Sequence, residues 1–215
     1  MKKHNSSSTS PWDQGFDLSY KLAREQLAKI SDVEEQCRRS GARYLAPNEV
    51  TLDYLRQPYR ILLPDAGIVP EDGHVEVPLK DRILILHYFT SAKGTPATGI
   101  LITYKQVPGG VSYFSAFYKR TIMPLVKHFG TKPEVLKGIS AKFGGYETDR
   151  GDESVTINAF PHVPVTLVLW KGDDEVAPNG TILFDANVSD YLSTEDVAVL
   201  SETIVWKIVK SIPPT

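Results

Sequence analysis

Three β-rich runs follow one another between Asp152 and Val188: "DESVTINAF", "VPVTLVLW" and "GTILFDANV". The first two are joined by a Pro-His pair and the last two by "KGDDEVAPNG". Runs this close in sequence are too near for a helical crossover and therefore pair antiparallel. An antiparallel sheet near the C-terminus is the strongest constraint on the fold. The connection Lys171–Gly180 holds two Gly, one Pro and one Asn, which is turn chemistry. Asp173, Asp174 and Glu175 then read as solvated acids at a hairpin tip, where they also protect a sheet edge. A calcium loop needs alternating acids, a Gly at its sixth place and a Glu at its twelfth. "DDEVAPNGTILF" lacks that order.

Upstream, segments of helical period alternate with short β-rich ones. "FDLSYKLAREQLAKI" places Leu18, Leu22, Ala23, Leu27 and Ile30 near helical spacing. Ser31 stands as an N-cap for "DVEEQCRRSGA", with Glu34 as its capping-box partner and Gly41 past the end. "EVTLDYL", "YRILLP" and "GHVEVPL" predict a small antiparallel meander, with His74 exposed beside its turn. "PLKDRILILHYFTSAKG" is apolar nearly all round, and its length, leucines and Gly exit favour a buried helix over a strand. "TGILITYKQVPGG" predicts a strand ending in a Pro-Gly-Gly turn. "SYFSAFYKRTIMPLVKHFG" predicts a helix broken near Pro124, and "KPEVLKGISAKFGG" another, opened by Pro133. The last helix, "STEDVAVLSETIVWKIVK", is capped by Ser193 and Asp196, with Val197, Leu200, Ile204 and Ile208 on one face. The expected fold is α+β, an antiparallel sheet with helices packed mainly on one side. Residues 1–12 are expected to be a disordered tail and 13–215 a single domain.

Composition excludes several functions. Hydrophobic residues make up 41% of the chain and charged ones 23%, enough for a packed core. A net charge of −2 gives no general attraction to nucleic acid or anionic lipid, so neither is an expected partner. No apolar stretch approaches the roughly 20 residues of a membrane span. Cys37 is the single cysteine, which rules out an internal disulfide or a thiolate metal cluster and suits a cytoplasmic setting. No two histidines lie at i, i+4, and no zinc or other metal motif is present.

Candidate site residues come from two segments. His87 is surrounded by apolar neighbours in "ILILHYF", beside Tyr88, where an imidazole serves as a base, a ligand or a hydrogen-bonded core residue. "PGGVSYFSAFYKR" delivers Tyr113, Phe117 and Arg120 from a glycine turn, aromatics and a cation that suit a flat acidic ligand or a core stripe. Trp170 completes the set. His128 reads as a cation at a helix C-terminus and His162 as an exposed residue of a Pro-flanked connection.

"EVPLKDRILILHYFTSAKGTPATG", "PGGVSYFSAFYKR" and "VPVTLVLWKGDDEVAPNGTILFDANVSDYLSTEDVAVL" together resemble the domain-of-unknown-function family 3786. The likeness covers nearly the whole chain after the tail. It implies proteins of anaerobic bacteria and archaea, some carrying a cysteine-rich iron–sulfur segment and occurring near corrinoid metabolism. Any cluster here would belong to a partner. The resemblance brings no catalytic residues and no defined cofactor. The leading expectation is a non-catalytic binding module for a tetrapyrrole or corrinoid, or for an iron–sulfur or corrinoid enzyme. His87, Tyr88, Tyr113, Phe117, Arg120 and Trp170 would line its site. An enzyme using carboxylates of the 173–190 region (Asp173, Asp174, Glu175, Asp185, Asp190) and a structural homodimer are the alternatives.

Overall fold

The computed structural model describes residues 11–46, 48–73 and 76–213. Its order is α1 (Pro11–Leu27), α2 (Val33–Ser40), β1 (Arg43–Ala46), β2 (Glu49–Tyr54), β3 (Gln57–Leu62), β4 (Gly67–Pro70), α3 (Leu79–Ser91), β5 (Leu101–Thr103), α4 (Gly110–Arg120), α5 (Ile122–Phe129), α6 (Glu134–Ser140), β6 (Tyr146–Glu147), β7 (Glu153–Phe160), β8 (Val163–Trp170), β9 (Asn179–Asp185) and α7 (Thr194–Lys210). The class is α+β, with antiparallel pairing throughout. Two sheets form instead of one. "EVTLDYL" and "YRILLP" supply β2 and β3 of a four-stranded sheet in chain order completed by β1 and β4, while Glu76 to Pro78 of "GHVEVPL", expected as a strand, lead directly into α3; β5 to β9 give a five-stranded sheet ordered β5-β9-β8-β7-β6. The expected tail outside residues 11 and 12, and His74, lie outside the described residues.

The sequence pattern explains the layering. β8 is buried at every position from Val165 to Leu169, so both faces are covered, and the run reads apolar instead of alternating. One contiguous core joins residues of both sheets and of the helices. Where the sheets meet, the Leu55 amide donates to the Ala159 carbonyl at 2.9 Å. Aromatic stacking continues the junction: Phe160 lies against Tyr54 at 4.9 Å and against Tyr88 at 4.1 Å.

α3 is a helix, and its near-uniform apolarity follows from burial of Ile83 to Leu86, Tyr88 and Phe89. α7 has its expected capping box, with Ser193 Oγ accepting from the Asp196 amide and the Asp196 carboxylate accepting from the Ser193 backbone. Val197, Leu200, Ile204 and Ile208 are buried as expected.

Four local expectations are corrected. α2 is capped by Asp32, not Ser31: its carboxylate accepts the Glu35 amide at 2.9 Å, so the helix starts one residue later. The break expected at Pro124 falls at Thr121, whose backbone leaves the helical region. Pro124 then occupies the first turn of α5, where its missing N–H costs nothing. On α1 the face turned to the core carries Ala23 and Leu27, whereas Leu18 and Leu22 are exposed. His162 is half-buried, its ring 5.3 Å from that of Tyr191.

Candidate functional site

Four helices enclose a cavity of about 300 Å³. Gly15, Phe16 and Ser19 of α1 form one wall, Tyr113 and Arg120 of α4 another. The floor comes from α3 through Lys80, Ile83, Leu84 and His87. These stand at i, i+3, i+4 and i+7, a single helical stripe with polar ends and an apolar middle. The start of α7 supplies Ser193, Glu195, Asp196 and Val199.

At one end of the cavity, His87 Nδ1 lies 2.7 Å from Asp196 Oδ1. An ionised carboxylate can only accept, so Nδ1 carries the hydrogen and Nε2 is left as an acceptor when the ring is neutral. Nε2 has no hydrogen-bond partner among the described residues. Asp196 is 8% exposed, and its second oxygen accepts from Ser193 Oγ at 2.6 Å. The residue that caps α7 thus also orients the imidazole, the relation of a carboxylate to a histidine in acid–base sites. Burial pulls the His87 pKa down, but the hydrogen bond to Asp196 and the charges of Asp196 and Glu195 outweigh it, and the net shift is upward.

At the other end, Arg120 donates to Glu202 at 2.5 Å and to the Tyr113 hydroxyl at 3.1 Å. Lys80 reaches the same Glu202 oxygen at 3.5 Å and lies 5.9 Å from the centre of the Phe16 ring. A guanidinium has five N–H donors and an ammonium three, so both cations keep donors unspent.

Three of the expected site residues, His87, Tyr113 and Arg120, therefore meet in one cavity. The other three lie elsewhere. Tyr88 is fully buried, donates to the Ser40 carbonyl at 2.8 Å and stacks on Phe160. Phe117 is fully buried and stacks on Tyr104 at 3.9 Å and 4°. Trp170 ends β8, is 41% exposed and does not line the cavity. Lys80, Glu195, Asp196 and Glu202 complete the site and escaped sequence reasoning. The local signal was the lysine and histidine closing an apolar stripe on α3.

Three carboxylates of the 173–190 region, Asp173, Asp185 and Asp190, are each occupied in holding a loop. Asp173 Oδ1 accepts the amides of Glu175 and Val176, closing the exposed hairpin tip. Asp185 is buried and accepts from Thr98, Gly99 and Asn187. Burial raises its pKa, but those donors together hold it below the ordinary carboxylate value. Asp190 pairs with Lys93 and Thr95. These bonds give Asp173, Asp185 and Asp190 a structural role in their loops.

Among the described residues no group of three or more His, Cys, Asp or Glu side chains could hold a metal ion. Cys37 is buried, and burial, aided by the charge of Glu34, pushes its thiol up to about 11. It is an inert helix residue. One such thiol does not fit an iron–sulfur cluster. No described helix is long and apolar enough to cross a membrane.

The family model described as "Domain of unknown function (DUF3786)" matches residues 32–207. The chain belongs to that family. α3, α4 and the cavity-lining part of α7 fall inside the matched region, while the wall supplied by α1 precedes it. No curated protein and no solved structure matches the chain.

The ion pair at His87 has a pH signature. The native state holds the proton more tightly than the unfolded chain, so the contribution is complete below the unfolded histidine pKa of about 6.5. It is lost as pH rises through the higher native value. Burial lowers the pKa of His162, which works in the opposite direction, so the two histidines are separated by difference. Urea midpoints compared near pH 5.5 and near pH 9 should show wild type losing more stability on going to alkaline pH than Asp196→Asn.

Proposed function

We propose that this chain is a binding module for a small molecule carrying a carboxylate or phosphate, held in the cavity among α1, α3, α4 and α7. The observation that supports it best is the unspent N–H donors of Arg120 and Lys80 at one end of a cavity of about 300 Å³ whose floor is apolar in its middle. That volume is at the lower limit for small-molecule pockets, and a few placed polar groups over an apolar lining are their usual composition. Arg120 is pinned by Glu202 and Tyr113, so little ordering entropy remains to be lost on binding.

The tetrapyrrole or corrinoid version of this role draws on fewer residues, because Tyr88, Phe117 and Trp170 do not reach the cavity. His87 Nε2 is the group that would meet such a metal. A visible-absorbance titration with haem and with a corrinoid tests that version; an unchanged spectrum counts against it.

Hexanoate is a suitable probe for the general proposal, with an anionic head for Arg120 and an apolar body for Ile83, Leu84 and Val199. Hydrogen bonds to charged groups contribute roughly 1.5–3 kcal/mol, so Arg120→Gln is expected to weaken hexanoate binding by about ten- to a hundredfold by calorimetry. A melting curve confirms that the variant is folded. Absence of hexanoate binding to wild type, or equal binding to the variant, counts against this role.

A further inference from the structure

The cavity is polarised from end to end, and that polarity selects a ligand. α3 and α7 run antiparallel, since Lys80 pairs with Glu202 and His87 with Asp196. Lys80 and His87 are seven residues apart on one stripe, which places the two ends about 10 Å apart along the axis at 1.5 Å per residue. The Lys80–Arg120 end offers donors. The His87 end offers an acceptor in the Glu195 carboxylate on the exposed rim and, at alkaline pH where the ring is neutral, a second in the Nε2 lone pair. Asp196 adds negative charge behind the ring. A second anion at that end would face two carboxylates, whereas a donor would meet Nε2 and Glu195. Between the ends, Ile83, Leu84 and Val199 offer only apolar surface.

We infer that the ligand is a short linear acid with a hydrogen-bond-donating group at its far end: an ammonium or hydroxyl at His87 and Glu195, and the acid group at Arg120 and Lys80. This rests on the binding role proposed above and deepens it. The opposed ends also fix orientation, because reversal would set the acid group against Glu195 and Asp196 and, for an ammonium, a cation against Arg120 and Lys80.

Calorimetry near pH 8.5 with hexanoate, its ω-amino and ω-hydroxy derivatives, and adipate tests the polarity. At least one of the two donor-bearing acids is expected to bind about tenfold more tightly than hexanoate, and adipate no more tightly than hexanoate. If the amino derivative carries the advantage, the terminus is an ammonium; if the hydroxy derivative carries it, a hydroxyl. Glu195→Gln, at an exposed position that threatens no folding, is expected to shrink the advantage of the amino derivative over hexanoate at least threefold or so. The inference is overturned if hexanoate binds with its Arg120 dependence intact while neither derivative gains, or if adipate binds best. If none of the four binds, the binding role itself falls.

Discussion

Phe117→Ala is expected to lower the unfolding free energy by about 3–5 kcal/mol, the range for truncating a fully buried phenylalanine. For a chain of this length that corresponds to a fall in melting temperature of roughly 10 °C. Phe117 has no exposed surface, stacks face to face on Tyr104 and meets Phe184 edge-on at 6.5 Å. Removing the ring leaves a void that Tyr104 cannot close, because its hydroxyl is tied to the Thr194 carbonyl at 3.1 Å. Three residues earlier on the same helix, Phe114 is only partly buried, and Tyr113 is exposed at the cavity mouth. Tyr113→Phe should therefore cost less than about 1 kcal/mol. Thermal or chemical unfolding of the two variants separates core from cavity wall on α4. A small effect for Phe117→Ala would return that side chain to the list of ligand contacts.

Asp81→Ala should be the second large loss, about 3 kcal/mol. Asp81 is 3% exposed and serves two partners, accepting from the Tyr54 hydroxyl at 3.0 Å and from Lys207 Nζ at 3.0 Å. It ties the four-stranded sheet to α3 and α7 together. Its removal strands a phenol with no exposed surface and deprives Lys207 of its counter-ion. An unsatisfied buried hydroxyl costs about 1–3 kcal/mol. Lys207 keeps a third of its side chain in water, so its share is smaller than that of a fully buried pair. Burial, with the neighbouring Asp81 charge, raises the Tyr54 pKa well above its ordinary value, so the phenol stays neutral and must donate. Tyr54→Phe removes the stranded hydroxyl. In the Asp81→Ala background it should therefore cost at least 1 kcal/mol or so less than in wild type, and a double-mutant cycle by urea unfolding measures that difference. Additive costs would mean that the hydroxyl and carboxylate are not coupled.

What could be read from the sequence follows from how local each signal is. The capping box of α7 lies within four residues, its helical period within ten or so, and the β-rich runs "EVTLDYL" and "YRILLP" within seven, so those elements appear in the structure as expected, whereas "GHVEVPL" alternates too briefly before the start of α3 to make a strand among its described residues. α3 was legible because an apolar run of its length with a Gly exit suits a helix buried on all sides. The failures are also local. Ser31 and Asp32 are both good caps, and one residue of shift decides between them. Thr121 replaces Pro124 as the break because a proline in a first turn begins a helix as readily as it ends one.

The site was half legible. His87, Tyr113 and Arg120 stood out as a buried imidazole and an aromatic, cationic helix start. The groups that give them chemistry are distant: Asp196 is 109 residues from His87, and Glu202 is 82 from Arg120. No periodicity reports such pairings. Asp196 in particular was fully explained by its cap and gave no sign of a second partner. Tyr88, Phe117 and Trp170 drew attention for their size, but large aromatics are first of all core material, and burial claimed two of the three.

The central claim is that the cavity among α1, α3, α4 and α7 takes an acid by its head at Arg120 and Lys80. Amide chemical-shift mapping of the isotope-labelled chain during a hexanoate titration tests it most directly. The expected result is saturable shifts confined to the segments around Phe16, Lys80 to His87, Tyr113 to Arg120 and Ser193 to Val199, with Trp170 unmoved. Shifts centred on the Trp170 end of β8, or none at millimolar ligand, would contradict it.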